Sequence, residues 1–184
     1  MVKLCLAYRR LRYGYPFRRI PLTRGKYAIV DPQDYTRLSR HKWHAVKHKA
    51  ARTWYAKRTR PRSADKSCFA HLMHRCIIKV PPGMVIDHIN HNGLDNRRAN
   101  LRIATHAQNR RNTRKCRPKT ASKYKGVTWN TTLNKWRAQI TINGKRLSLG
   151  CFQDEIQAAK AYDKAAQKLH GEFAALNFTA PRSS

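Results

Sequence analysis

The sequence predicts an α+β chain: a small N-terminal sheet, a module of two strands and a helix, and then a three-stranded antiparallel sheet packed on one helix. Three stretches carry that prediction. Between Ile20 and Arg58, short runs of β-branched and aromatic residues alternate with turn residues. From Val85 an apolar pair ends in Asp87-His88, a polar turn follows, and Asn100-Leu101-Arg102-Ile103 leads into a helix-like run that ends at Asn109. From Lys135 to Phe152 two alternating strands flank Asn143-Gly144, a strong hairpin signal because both positions of a two-residue turn need positive φ.

Charge bounds the partner before any motif does. The 184 residues hold 40 Lys plus Arg against 9 Asp plus Glu, a formal net charge of +31, and the cations run along the whole chain instead of filling one tail. Such a field calls for a polyanion, and nucleic acid is the default. An ordinary apolar fraction favours two small folded modules over a disordered basic chain. The five cysteines, Cys5, Cys68, Cys76, Cys116 and Cys151, form no Cys-x-x-Cys pair and are odd in number, which argues against a zinc ribbon and a disulfide framework and for a reducing compartment. The apolar run at the start is too short for a secretory signal, and no later run is long enough to cross a membrane, so a cytoplasmic protein of a bacterial or phage-infected cell is expected.

In chain order, residues 1–19 are basic and aromatic without a clear period, and are expected to be an unstructured arm lying on phosphates. Ile20–Thr23 and Lys26–Asp31 read as strands, Asp31–Leu38 as a capped helical turn, and Trp43–Ala45 and Trp54–Arg58 as two aromatic strands around a polar loop, His48 to Arg52. Residues 59–67 are loop chemistry, and Cys68–Ile78 reads as a strand entering a short helix that carries His74. Residues 110–123 contain many cations and no acid, and mark a linker in which Arg110, Arg111 and Arg114 follow the phosphate backbone. In the last module Trp136, Ala138, Ile140 and Ile142 face one way and Arg137, Gln139 and Thr141 the other. Asp154-Glu155 then opens an alanine-rich helix that His170-Gly171 closes.

The run from Asp87-His88 through a turn with paired Asn to Asn100-Leu101-Arg102 and Asn109 resembles the HNH endonucleases, specifically the branch found among homing endonucleases. The resemblance implies a ββα-metal module over residues 20–109, including its N-terminal sheet, that hydrolyses DNA phosphodiester bonds. Mg2+, or another divalent cation, prefers hard oxygen ligands and keeps several waters, so Asp87 and Asn109 are a sufficient protein set. An imidazole beside the metal takes a proton from the attacking water near neutral pH, which is the role expected of His88. Consecutive strand residues point to opposite faces, so Asp87 and His88 reach one site only if the strand ends or twists there. For Asn100 the resemblance implies a bond across the loop that holds the His-bearing strand. His74 is expected to buttress the site from behind, and His91 and His106 are weaker candidates.

The pattern from Ser122 to Phe178 resembles the DNA-binding domain of the plant Apetala-two and ethylene-response factors, through Tyr124-Lys125-Gly126-Val127, Trp136-Arg137-Ala138, Leu149-Gly150-Cys151-Phe152, Ala158-Ala159-Lys160-Ala161-Tyr162-Asp163 and Leu176-Asn177-Phe178. That likeness implies a sheet face entering the major groove of double-stranded DNA through Lys125, Trp129, Arg137, Gln139 and Arg146. Thr128, Gln139, Thr141 and Ser148 depart from the plant pattern, so the plant target sequence does not transfer. The resulting organisation is an arm (1–19), a nuclease module (20–109), a basic linker (110–122), a DNA-reading module (123–178) and a tail (179–184), acting as a monomer. A DNA-binding regulator with an inactive nuclease fold and an RNA-binding protein are the competing readings.

Overall fold

The computed structural model describes residues 2–47, 53–59, 70–114 and 121–178. The expectations for the His48–Arg52 loop, for residues 60–69, for the middle of the basic linker (115–120) and for the tail lie outside them. The chain divides into two compact units, Met1–His106 and Ala107–Ser184.

The first unit is α+β, as expected, with its strands in three small antiparallel sheets. β1 (Arg18–Pro21) pairs with β2 (Tyr27–Val30) across the turn at Gly25. β3 (His44–Val46), β4 (Tyr55–Thr59) and β5 (Ala70–Leu72) form the second sheet, and β6 (Met84–His88) with β7 (Leu101–Thr105) the third. One apolar cluster joins them: Ile20, Ala28 and Val30 from the first sheet, Ala56 from the second, Ile86 and Leu101 from the third, with Leu38 and Trp43 between. Each strand is too short to bury a face by itself, and pooling three half-buried faces gives the unit its core.

Two local expectations change. The N-terminal arm is not unstructured: Val2–Tyr13 is a helix, α1, although it buries no residue. It escapes a periodicity argument because no face of it meets a core. The chain after it is tied down by Phe17, which is buried, accepts a bond from Arg9 Nη1 at its carbonyl and carries the Arg9 guanidinium 4.6 Å above its ring. Asp31 stands at the N-cap of α2 (Pro32–Ser39), but its side chain makes no cap bond. Its Oδ2 accepts the amide of Arg98, 67 residues later, at 2.7 Å.

The second unit opens with the last residues of α4 (His106–Arg111) and continues with β8 (Val127–Asn130), β9 (Lys135–Ile142) and β10 (Lys145–Phe152), in the order β10-β9-β8. Asn143 and Gly144 both have positive φ, as the hairpin requires. α5 (Glu155–His170) is capped by Asp154, whose carboxylate accepts from the amides of Ile156 and Gln157. Ala158, Ala159 and Ala166 are fully buried, so backbone and sheet approach closely, and Tyr162 fills the remaining gap. Among the described residues, no helix is long and apolar enough to cross a membrane, and Cys5, Cys76 and Cys151 are free thiols.

Gly126 shows how tight this unit is. Its φ is +76°, and a Cβ built there would lie 1.9 Å from the ring of Tyr162, which is itself buried. Gly126→Ala should therefore destabilise the second unit by about 3 kcal/mol, combining left-handed strain with overpacking, as read by urea denaturation of the full chain. A change below about 0.5 kcal/mol would mean that the strap over Tyr162 yields freely.

Candidate functional site

β6 ends at His88, opposite Leu101, and there the strand gives way to a mostly polar loop, Ile89–Asn100, in which Leu94 packs against the core. Such a loop holds its shape only if its polar groups are paired. Asn100 bridges it: its Nδ2 donates to Asp95 O at 2.8 Å, and its Oδ1 accepts from the amide of Asn90 at 3.0 Å. Asn90 in turn donates to Asp95 Oδ2 and accepts from the amide of Asn92. Asp95 receives a two-pronged bond from Arg97, at 2.7 and 2.6 Å, and the same guanidinium lies 3.6 Å above the Tyr15 ring.

The N-terminal sheets hold this loop from outside. Ile29 donates its amide to Leu94 O and accepts at its carbonyl from the amide of Asn96, both at 2.8 Å, so β2 extends into the loop as a parallel bridge to Asp95. Asp34 accepts two bonds from Arg98 and one from Arg37. Burial works to raise its pKa, and those arginines more than offset it, leaving the carboxyl below its ordinary value. Gly93 donates to Thr53 Oγ1, and a Cβ on it would sit 2.6 Å from both Trp54 O and the Tyr55 ring.

The two adjacent residues of the motif have different surroundings. Asp87 opposes Arg102 in the β6–β7 register, and both Nε and Nη2 of Arg102 donate to its Oδ2, at 2.9 and 2.8 Å. His88 is 6% exposed and sits against the rings of His74, 5.1 Å between centroids, and Tyr55, at 5.8 Å. Asn96 Oδ1 lies 3.5 Å from His88 Nε2, at the outer limit of a hydrogen bond. An amide oxygen accepts, so a bond here is made by the ring tautomer that carries its proton on Nε2. Burial lowers the pKa of His88, while Asn96 and the charges of Asp87 and Asp95 pull it back up. Burial raises the Tyr55 phenol, with Asp87 adding to the shift. Asp87, His88, His74 and Asn100 are thus all buried within the first unit.

Tyr55, Asn96 and Arg102 are additional residues of this site that motif spacing did not single out. Arg102 follows from register, since pairing Ile86 with Ile103 sets Asp87 opposite it. Asn96 is fully buried, and its Nδ2 has no partner. As a metal centre, the described residues hold no group of three or more His, Cys, Asp or Glu. A cation bound largely by water and substrate phosphate needs no such cage, and the Asp87 carboxylate is of the hard oxygen type that such an ion prefers. These residues fit a hydrated divalent ion, for which Asp87 would be the carboxylate donor.

Asn109 lies near the middle of α4, in the second unit, with its carbonyl accepting from Thr113 Oγ1. Arg110 and Arg111 complete the helix, so the basic stretch begins in regular structure, and Arg114 follows it. The sheet residues expected to meet DNA divide. Arg137, Gln139 and Arg146 share the face away from α5, along with Thr128, Thr141 and Ser148, through the pairs Thr128–Arg137, Gln139–Ser148 and Thr141–Arg146. Trp129 does not join them. It pairs directly with Trp136, and directly opposed residues share a face, so it lies on the α5 side, edge-on to Trp136 at 4.9 Å. Lys125 also departs: its half-buried ammonium donates to Arg111 O and Thr113 O, at 2.6 and 2.7 Å.

An HNH endonuclease family model matches residues 79–111, and an AP2 domain model matches residues 122–172. An uncharacterized HNH endonuclease of Acanthamoeba polyphaga mimivirus is 33% identical over 158 residues, covering 84% of this chain and 76% of the relative. Protein 3.8 of Escherichia phage T7 is 32% identical over 95 residues, 52% of this chain and 77% of that protein. An AP2-like ethylene-responsive transcription factor of Arabidopsis thaliana is 41% identical over 58 residues, which are 32% of this chain and 12% of the plant protein.

His74 gives a pH signature. Burial, with the charges of His88 and Arg75 adding to it, lowers its pKa from 6.5 to about 3. The unfolded chain takes up this proton below about pH 6.5 and the folded chain does not, so the contribution to stability is complete above that pH and is lost as pH falls toward 3. His74→Phe should flatten the acid side of a stability-against-pH curve by up to about 1.4 kcal/mol per unit, measured by denaturant titration. Identical slopes in the two proteins would show that His74 is protonated in the fold.

Proposed function

This chain belongs to the HNH endonucleases and carries an AP2 domain, and on that premise we propose that it is a site-directed DNA endonuclease of the homing type. The first unit cuts double-stranded DNA, and the open sheet face of the second reads the major groove. The observation that carries the reading is His88: a buried imidazole beside a carboxylate at a strand end, its ring bracketed by His74 and Tyr55 and its Nε2 directed at Asn96. A neutral imidazole is what a general base requires.

The His88 imidazole takes the proton of the attacking water. Asn100 keeps the loop behind it closed, and His74, neutral across the working pH range, packs His88 without competing for that proton. Asp87 and Asn109 would hold Mg2+ or another divalent ion. When bound, such an ion neutralises charge on the phosphate and polarises its P–O bonds. Arg102, already beside Asp87, adds a guanidinium to the same patch, a group suited to phosphate oxygens. Arg110, Arg111 and Arg114 hold backbone phosphates, and Arg137, Gln139 and Arg146 reach base edges. The chain acts as a monomer.

The test is a plasmid cleavage assay with Mg2+ and with chelator. His88→Ala should slow cleavage by about 10² to 10⁴ while binding DNA as before, because the imidazole moves a proton and adds little affinity. Near-normal cutting by that variant would place the base elsewhere. Asp87→Ala and Asn109→Ala should each raise the Mg2+ concentration needed for half-maximal rate, or abolish cutting, and an unaltered Mg2+ dependence in both would remove the ligand assignment. Arg137→Ala should relax discrimination at one base position by roughly 1–3 kcal/mol, scored by mapping cleavage ends on a mixed DNA pool. An unchanged site preference would shift base reading to other residues.

A further inference from the structure

α4 is a helix of six residues that buries none of them. A helix so short has little stability of its own, and no hydrophobic face to hold it, so the fate of its last carbonyls decides whether it persists. Those carbonyls are accounted for one by one. Gln108 O accepts from the amide of Asn112, Arg110 O from the amide of Thr113, and Asn109 O from Thr113 Oγ1. Arg111 O, together with Thr113 O just past the helix, is bonded by the ammonium of Lys125.

Lys125 is well placed for this. It lies in the strap before β8, where its own amide donates to Asn177 Oδ1 at 2.6 Å and its carbonyl accepts from Asn177 Nδ2. Asn177 is fixed in turn by Asp163 of α5, through its amide at 2.8 Å and its Nδ2 at 3.0 Å. Gly126, the next residue, is pressed on the Tyr162 ring. The backbone of Lys125 is therefore rigid, and its side chain spans from a firmly packed module to the end of a weakly supported helix. Two short charge-assisted bonds at a helix C-terminus are also the pairing that the helix dipole favours.

We propose that Lys125 is a positioning residue for cleavage: it closes the C-terminal end of α4 and so holds the helix that carries Asn109, making the AP2 module a structural support of the nuclease as well as its DNA reader. The proposal rests on the reading of Asn109 as a working residue of the nuclease. It also accounts for Lys125 being turned away from the open sheet face.

The experiment uses the full chain with Lys125→Met, which keeps the stem and removes the donors, and with Lys125→Arg, which restores them. Hydrogen exchange, measured without metal or DNA, should show the amides of Asn112 and Thr113 exchanging about tenfold faster or more in Lys125→Met. Lys125→Arg should recover most of that protection. Single-turnover cleavage at saturating protein should slow about tenfold in Lys125→Met, with DNA affinity within about twofold of the parent. Unchanged exchange at those two amides overturns the cap. Faster exchange with an unchanged saturated rate overturns the positioning role. A loss of affinity with a shallower salt dependence and normal exchange makes Lys125 a phosphate contact instead. Asn109→Ala run alongside separates the two readings: if it cuts normally, the role given to Asn109 fails, while the exchange data still decide the cap.

Discussion

Negative charge is the scarce material of this protein, and the fold depends on where it is placed. Nine carboxylates face forty Lys and Arg side chains, so mutual repulsion opposes compaction everywhere and each acid is worth more than it would be in a balanced chain. Seven of them stand at joints. Asp31 and Asp34 fasten the loop before β7 to α2, Asp95 closes that loop on itself, and Asp87 pins β6 to β7 through Arg102. In the second unit Asp154 starts α5, Glu155 accepts the amide of Lys123, and Asp163 locks Asn177. None of these is a loose surface ion pair of the kind that contributes little; most engage a backbone amide or a guanidinium at two points.

That arrangement explains how a polar loop supports a buried imidazole. His88 needs neighbours that exclude water without supplying charge, and Tyr55 and His74 do this from β4 and α3 (Met73–Ile77). The charged groups near it are paired: Arg97 with Asp95, Arg98 with Asp34 and Arg102 with Asp87. The N-terminal sheets, which bear no residue of the motif, hold the loop in which those pairs sit.

Legibility followed the range of the interactions. The hairpin at Asn143-Gly144, its strands and α5 could be read directly, because their periods and caps are local. Asp87, His88 and Asn100 could be read as a group by spacing, and the structure buries all three. Spacing reveals less where pairing and burial, and not a local period, decide the structure. No local signal marks where the β1–β2 sheet ends and the β3–β4–β5 sheet begins, because every strand pairs with its chain neighbour, and α1 has no buried face to set a period. Family likeness puts Trp129 on the face of Arg137, whereas its register with Trp136 places it opposite. Asn96 looks like any turn asparagine until β2 closes over it.

The anchors of the β6–β7 loop share one further property, their order along the chain. Ile29, Asp31, Asp34, Thr53 and Tyr55 all precede the loop they hold, by between about forty and seventy residues. A chain emerging from the ribosome with its N-terminus leading has therefore made every anchor before the first loop residue appears. The entropic cost of closing such long intervals rises only slowly with their length, and it is met by docking the loop onto a surface already assembled. The loop that ends in Asn100 therefore meets its anchors as ready-made surface, and its shape is set by contacts that were waiting for it.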